Sequence, residues 1–525
     1  MIGLGNFAGL ACLGGAGNKF GRMSFSQQNG GEATKTVDFI VKAMKVKKVT
    51  GDTAAEIKML MNDSRRVSPG AVFFALNGHN TDGNIYVEEA AHRGAVAVVS
   101  ERPAPEKYFP AVWIQVEDIQ AAMAAAAKKY YDNPDESMTV FGVTGTNGKT
   151  SVTWLIQHML ASVSEKCGLI GTIHYDLGGR CLPASRTTPE SLAVYAMLNQ
   201  MRYAGCKDVA MEISSHSICQ KRVDGLKIDC ACFLNLTQDH IDYHKTMEAY
   251  FESKASLFTG VTGTRPKFAA INIDDAHGRI IAERIKNDTK LITFSINGKG
   301  DIRAENVELK PTSTSFTLIW PEGSAQVSTK LTGHYNVSNA LAALACLYSQ
   351  GKDLAKAAAS LKDFKGVPGR MQKVSANAKF DIFVDYAHTD DALRNGLSML
   401  KKVVKGRLLV VFGCGGKRDR TKRPKMTAVV QEFADIAWAT SDNPRGENIN
   451  QIFDDMKKGV SDVARIAFVE DRRRAINLAI DAADEGDCIL IAGKGHEAFQ
   501  ELGDTIIPFD DKRVAEELLS LKGLI

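Results

Sequence analysis

No stretch of the 525-residue chain approaches the roughly 20 consecutive apolar residues that a bilayer-spanning helix needs, so no transmembrane segment is expected. It also lacks a CxxC pair. Its ten cysteines are scattered, which fits a reducing cytoplasm. Cys230 and Cys232 alternate in a strand-like run and read as core rather than as metal ligands. The charge is nearly balanced at +4, which argues against nucleic acid as the main partner. Internal repeats are absent. Residues 1–31 contain no acidic residue and only two basic ones, Lys19 and Arg22. They have neither the early positive charge and apolar core of a signal peptide nor the basic content of a transit peptide. Residues 1–35 are therefore expected to be a disordered tail, or an over-called start with Met23 as the initiator.

What is present is globular in character, with 44% hydrophobic and 24% charged residues. The length exceeds what one hydrophobic core supports, so two to four domains are expected. Residues 36–136 read as a small α/β unit, with strands at 71–76 and 95–100 and helices at 84–93 and 119–131; the last ends at Asn133-Pro134 because proline cannot continue a helix. A second unit, 137–366, opens with an apolar strand at 139–143. Its strand-like runs, such as 209–213 and 231–236, alternate with helical stretches and predict a mostly parallel sheet. The third unit, 367–525, places strands at 382–385, 408–412, 436–439, 466–469 and 488–492 between helices, which predicts a doubly wound, Rossmann-like sheet.

The strand at 139–143 runs into Gly145-Thr146-Asn147-Gly148-Lys149-Thr150-Ser151 and then a helical run over 152–160. That is the layout of a phosphate cradle. Backbone N–H groups and the helix N-terminus face the phosphates, Lys149 supplies charge and the Thr150 hydroxyl reaches Mg2+. The strict P-loop pattern wants glycine where this chain has Val143, so the spacing alone is an incomplete match. Glu212 sits at the end of an apolar strand, where active-site residues of parallel sheets emerge, but a lone glutamate there reads equally well as a surface residue. Asp239, His240, Asp242 and His244 read either as a metal cluster or as a polar loop. Lys254 falls within a helical stripe formed by Met247, Tyr250, Phe251 and Phe258. A bare ammonium on a buried face is costly, so the unaided reading is a side chain that snorkels to solvent. Asn339 reads also as a helix cap, and Arg370 as an ordinary surface charge.

Seven motifs, in order, resemble the superfamily of Mur ligases and folylpolyglutamate synthetases. They are the loop at 145–150; Met211-Glu212-Ile213-Ser214-Ser215-His216 with Gln220 and Arg222; 235–244; Gly333-His334-Tyr335-Asn336-Val337-Ser338-Asn339; Gly369-Arg370-Met371; Asp385-Tyr386-Ala387-His388; and Gly493-Lys494-Gly495-His496-Glu497. The resemblance implies three α/β domains: a small uridine-nucleotide-binding domain, a P-loop-type ATP-binding domain and a Rossmann-like C-terminal domain that takes the amino acid. It also implies that Glu212 and His240 hold Mg2+, that Asn336 and Asn339 lie near the adenine, and that Arg370 and Asp385 hold the phosphate and ribose of ATP. Lys254 would be carbamylated by CO2 and become a carboxylate-like Mg2+ ligand. Ser64, Arg65, Thr187, Thr188, Ser214, Gln220 and Arg222 would contact a UDP-sugar-peptide. Folylpolyglutamate synthetases lack the uridine-type domain suggested by residues 63–100.

Six basic residues crowd residues 417–425 against one acidic residue, Asp419. By charge alone this is a nucleic-acid patch, but a site for anionic small molecules fits a near-neutral chain better. Asp442-Asn443-Pro444-Arg445 resembles the signature of Mur ligases that take meso-diaminopimelate; those that take L-lysine lack the arginine. Arg445 would bind the distal carboxylate through two parallel N–H···O bonds, with Arg418 on a carboxylate and Asn443, Gly493 and Glu497 on the ammonium groups. The competing reading pairs Arg445 with Glu447. The implied enzyme is cytoplasmic, monomeric and free of nucleic acid. It adds meso-diaminopimelate to UDP-N-acetylmuramoyl-L-alanyl-D-glutamate at the expense of ATP, through an acyl phosphate. The alternatives are L-lysine as the amino acid, folate polyglutamylation, or a catalytically dead scaffold; a dead relative should have lost Lys149, Glu212 or Lys254.

Overall fold

The computed structural model describes residues 34–78, 81–310, 313–374 and 378–524. Of the expected tail, 1–33 lie outside the described residues. The first sheet contains β1 (Val46–Thr50), β2 (Met59–Met61), β3 (Ala71–Phe74), β4 (Ala95–Ser100) and β5 (Val112–Val116) in the order β1-β5-β4-β3-β2, parallel except for β1. The helix Ile119–Tyr130 packs beside it. Asp118 caps its start by accepting the Ala121 N–H. Asp132 and Asn133, both left-handed (φ 56° and 48°), end it just before Pro134. The helix expected over 84–93 is instead a 3-10 turn, Gly83–Tyr86, followed by a helix over Val87–His92.

The second sheet comprises β6 (Thr139–Thr144), β7 (Cys167–Ile170), β8 (His174–Asp176), β9 (Cys181–Pro183), β10 (Asp208–Glu212), β11 (Cys230–Phe233), β12 (Phe268–Asn272), β13 (Lys290–Ser295), β14 (Ile302–Lys310), β15 (Ser313–Trp320) and β16 (Gly323–Thr329). Their order is β16-β15-β14-β13-β12-β11-β6-β10-β7-β8-β9. The strands from β14 to β7 are parallel, as expected. The margins are not: β15 and β16 on one side, and β8 and β9 on the other, are antiparallel. Residues on β6 alternate between two cores. Val140 joins the cluster shared with the first sheet, which includes Tyr130 and Tyr195. Phe141 and Val143 pack on the other face under the helices Lys149–Ser162 and His334–Ser349. Cys230 and Cys232 are fully buried in that second core. Burying a side chain such as Phe141 stabilises the fold by about 1.5–3 kcal/mol.

The third sheet has β17 (Gln372–Lys373), β18 (Asp381–Asp385), β19 (Leu408–Cys414), β20 (Ile436–Ser441), β21 (Ile466–Val469) and β22 (Cys488–Ala492), in the order β17-β18-β22-β19-β20-β21. All five strands expected here are present and parallel, with only the short β17 antiparallel. Leu408, Val410 and Phe412 face one core and Leu409 and Val411 the other, the alternation of a sheet covered on both sides. A hairpin, β23 (Phe499–Leu502) with β24 (Thr505–Pro508), follows β22. No helix among the described residues is long and apolar enough to cross a membrane.

Candidate active site

The functional side chains collect at the carboxyl ends of the parallel strands, where open α/β sheets bind ligands. β6 leads into the glycine loop. Gly148 adopts φ 91° and starts the helix at Lys149, three residues earlier than the sequence pattern suggests, so the loop turns directly into the helix N-terminus. A Cβ at Gly148 would lie 2.5 Å from Asn339 Oδ1, which ties Asn339 to the loop. Asn339 is therefore not a cap; Gly333 occupies that position. Asn339 Nδ2 donates to Asn336 Oδ1 at 3.3 Å.

Glu212, fully buried at the end of β10, accepts hydrogen bonds from Thr150 Oγ1 (3.1 Å), Thr172 Oγ1 (2.9 Å) and the Thr172 N–H (2.8 Å). Lys149 Nζ donates to the carbonyls of Gly145 and Thr146, both at 2.9 Å. Lys254, only 1% exposed, donates to the same Gly145 carbonyl at 3.0 Å, with its ammonium 4.7 Å from the Tyr250 ring centroid. Snorkelling is thus not its solution. Tyr250, Phe251 and Phe258 are buried beside it, whereas Met247, at the first turn, is exposed and does not belong to the stripe. Burial, and secondarily the neighbouring Lys149, pushes the Lys254 ammonium well below the ordinary lysine range. Burial also lowers Lys149.

His240 has a left-handed backbone (φ 56°), and its ring packs edge-on against His216 at 4.7 Å. Burial holds it neutral, pushed down to about 3. His244 is drawn off to Ser215 Oγ at 2.9 Å. Among the described residues no group of three or more His, Cys, Asp or Glu could hold a metal ion, so 239–244 is no all-protein cage. Arg370 Nη2 donates to Thr150 Oγ1 at 3.2 Å across the units, and its guanidinium lies over the Tyr386 ring. It is no ordinary surface charge. Asp385 accepts the Met371 and Ala387 N–H groups, and burial raises its carboxyl above the usual range.

Beside Glu212, Thr188 Oγ1 donates to the Glu212 carbonyl (2.8 Å) and accepts the Ser214 N–H (3.1 Å). Thr187 Oγ1 meets Thr172 Oγ1 at 3.1 Å. Arg222, nearly buried, donates to the Thr188 carbonyl at 2.8 Å and to Gln220. Through these bonds the five residues form one cluster beside Glu212. Ser64 and Arg65 sit on the first unit, where Ser64 donates to Glu89 and Arg65 pairs with Asp63.

In the third unit, Asp442, Asn443, Pro444 and Arg445 follow β20, and Gly493 and Glu497 follow β22. Asn443 Nδ2 donates to Glu497 Oε2 at 2.8 Å. Gly493 has φ 113°, a backbone conformation that favours glycine, and a Cβ there would meet Asp442 Oδ2 at 2.7 Å, so the two loops lie against each other. Burial, then Asp442, raises the Glu497 carboxyl. Arg445 Nε donates to Glu501 Oε2 at 2.8 Å and Nη1 to the Gly416 carbonyl at 3.4 Å. The competing partner, Glu447, is instead taken by Arg423 at 2.8 Å. Arg423 is fully buried, and both it and Arg420 also pair with Asp455. Two members of the basic run, Arg420 and Arg423, are therefore spent on ion pairs within the fold. Arg418, on the same loop, is exposed.

Three family models match the chain: the Mur ligase middle domain over residues 143–347, the Mur ligase glutamate ligase domain over 369–495, and the Mur ligase family catalytic domain over 56–131. A protein of Geobacillus kaustophilus (strain HTA426), named UDP-N-acetylmuramoyl-L-alanyl-D-glutamate--2,6-diaminopimelate ligase, is 44% identical over 89% of this chain and 96% of its own. The chain belongs to the Mur ligase family.

A solved structure bearing the same diaminopimelate ligase name superposes with a TM-score of 0.67 at 33% identity, covering 94% of this chain and all of that one. MurF from Acinetobacter baumannii, at 19% identity and TM-score 0.65 over 88% of this chain and 96% of its own, shares the fold. Mur ligases are ATP-dependent, peptide-forming ligases, and this chain is an enzyme of that class. Sequence reasoning missed several side chains that this Mur ligase brings to its site. Lys494 is fully buried, with its ammonium on Asn443 Oδ1 (3.2 Å) and Glu497 Oε2 (3.1 Å). Thr172 and Glu501 were missed because they lie outside the recognised motifs. Lys494 stood inside one, where a lysine beside a glutamate was the available signal.

Proposed function

We propose that this Mur ligase joins meso-2,6-diaminopimelate to the D-glutamate carboxylate of UDP-N-acetylmuramoyl-L-alanyl-D-glutamate, with ATP converted to ADP and phosphate. The observation that carries this reading is the meeting of two strand-end sites. A phosphate loop with Thr150 on Glu212 faces an amino-acid pocket built around Arg445, Asn443 and Glu497, and Arg370 bridges toward the loop. The relatives' names support the choice of amino acid over L-lysine or folate chemistry. The division into units at 36–136, 137–366 and 367–525 is part of the proposal, supported by the three sheets. So are a single-copy active enzyme and a cytoplasmic setting.

In this reading Lys149 and the helix N-terminus hold the triphosphate. Asn336 and Asn339 lie toward the base, and Arg370 and Asp385 toward phosphate and ribose. Thr187, Thr188, Ser214, Gln220 and Arg222 orient the peptide arm, and Ser64 and Arg65 take the uridine end. The substrate carboxylate attacks the γ-phosphorus, the bond to ADP breaks, and an acyl phosphate forms; Lys149 counters the charge spread over the transferring group. The amine of the second substrate, held by Asn443 and Glu497, then adds to the acyl carbon. The tetrahedral adduct collapses to the amide and releases phosphate. The Thr150 hydroxyl and the Glu212 carboxylate fit Mg2+, and the family resemblance alone adds His240; Mg2+ favours one or two protein oxygens together with water and substrate phosphates. When bound there, it supplies neutralising charge to the phosphates.

Lys254 fits the carbamate. The amines of Lys149 and Lys254 share one carbonyl, Gly145 O, and among the described residues no carboxylate forms an ion pair with Lys254. Its neutral amine adding to CO2 would give a carbamate and a proton, placing an anion next to Lys149. The function is tested by phosphate release with ATP and the UDP-dipeptide. Release should depend on meso-diaminopimelate and be much slower with L-lysine. Equal or faster release with L-lysine would overturn the amino-acid assignment, and none with either would overturn the reaction.

A further inference from the structure

We propose that Glu501, on the hairpin after β22, is a positioning residue that selects the amino acid by fixing the guanidinium of Arg445; this rests on the function proposed above. Arg445 occupies a left-handed backbone conformation (φ 50°), unusual for a residue with a side chain. Two bonds to one residue hold it there: the Arg445 N–H donates to the Glu501 carbonyl at 3.3 Å, and Nε donates to Glu501 Oε2 at 2.8 Å. On the other edge, Nη1 reaches the Gly416 carbonyl at 3.4 Å, and a Cβ at Gly415 would crowd Nη1 at 2.9 Å. The guanidinium is thus gripped at Nε and supported at Nη1.

The hairpin itself is anchored independently of this grip. The Glu501 N–H donates to Asn443 Oδ1 at 2.9 Å, and buried Gln500 donates through Nε2 to the Asp442 carbonyl at 2.9 Å. Removing the Glu501 carboxylate therefore loosens Arg445 without undocking β23. A long side chain held in one rotamer loses little further freedom on binding, and preorganisation of this kind raises affinity by lowering that cost. The benefit falls only on substrates that carry a distal carboxylate for Arg445 to grip. Glu501 is therefore a specificity element recruited from outside the loop that carries the arginine.

The test compares Glu501→Ala and Glu501→Gln in the full-length enzyme. Glu501→Ala should raise KM for meso-diaminopimelate about tenfold, equivalent to about 1.4 kcal/mol. Its kcat at saturation and its KM values for ATP and the UDP-dipeptide should stay within about twofold of wild type. Glu501→Gln, whose amide oxygen can still accept from Nε, should recover most of the loss. kcat/KM for L-lysine, which has no distal carboxylate, should not move. An unchanged or lowered KM for meso-diaminopimelate in Glu501→Ala, or an equal loss with L-lysine, overturns the proposal. Should Glu501→Ala melt early, the KM of Glu501→Gln decides, since a tenfold rise there also overturns it. A wild-type enzyme that ignores meso-diaminopimelate would instead bring down the function on which this rests.

Discussion

The two ends of the reaction path handle charge in opposite ways. At the phosphate end Lys149 and Lys254 point at the same carbonyl. Two buried amines that share one neutral acceptor disfavour each other's protonation, and the counter-charge is supplied by anions that arrive there, a triphosphate or a carbamate on Lys254. At the amino-acid end the principal charges already have partners: Lys494 with Glu497, and Arg445 with Glu501. The first end is built to attract a polyanion and the second to discriminate between zwitterions of similar size. Strength is gained by leaving charge unmatched, and selectivity by fixing it in place.

The largest expected effect breaks the attracting end. Lys149→Ala should cut steady-state phosphate release by about 10²–10³-fold, the scale of losing one preorganised charge contact in phosphoryl transfer, while circular dichroism stays native. Near-wild-type turnover would refute the role of this loop. Lys254→Ala comes next. We expect a nearly inactive enzyme that is partly rescued by small added carboxylates, and mass spectrometry of gently handled wild type should show a CO2 adduct on Lys254. A variant with full activity, or an unmodified ammonium in a nucleotide-bound crystal structure, removes the carbamate. At the discriminating end, Arg445→Ala should lower kcat/KM for meso-diaminopimelate at least about tenfold, because a charge-assisted hydrogen bond contributes about 1.5–3 kcal/mol. Turnover of L-lysine should remain poor, since deleting a cation builds no pocket for an ammonium. A fully active Arg445→Ala would erase the contrast between the ends.

The smallest effect probes buried charge away from both ends. Asp208 is buried at the start of β10, with Lys352 at 3.8 Å and the like-charged Glu165 beside it. Burial pushes its carboxyl up to about 6. A carboxyl raised in the folded state binds its proton more tightly there than when unfolded. Its contribution is thus most favourable at low pH and declines as pH rises from about 4 to about 6. Asp208→Asn removes that decline, so Tm at pH 8 should rise by ~2 °C and change little at pH 4. A lower Tm at pH 8 would mean that the attraction of Lys352 outweighs burial.

The same contrast explains what the sequence disclosed. The phosphate end was legible because its geometry is local: Gly145 to Ser151 lie on one turn between a strand and a helix. The parallel strands of the third sheet were legible because burial on both faces leaves short apolar runs such as 408–412. The ion-pair partner of Arg445 was not legible. Glu447 is two residues away, yet the fold gives it to Arg423 and brings Glu501 in from 56 residues downstream. The burial of Lys254 was half legible. Helical spacing marked its face, but the exposure of Met247 shows that a stripe need not stay buried to the end of its helix. The antiparallel strands β15 and β16 escaped because a margin of a large sheet is set by its neighbours rather than by local propensity.

Asp391, at the start of the helix Asp390–Val403 in the third unit, accepts from Asn147 of the phosphate loop at 2.9 Å and from Thr237 at 3.2 Å. Lys425 reaches Gln238 at 2.9 Å, and Arg370 reaches Thr150. Each such bond exchanges with water for a net of about 0.5–1.5 kcal/mol. The polar share of this seam therefore resists parting by only a few kcal/mol, less than a domain's whole stability. Parting the two units along that seam would break four side-chain bonds among the described residues and lift Tyr335 from the edge of the third unit's core, while leaving the three sheets themselves whole.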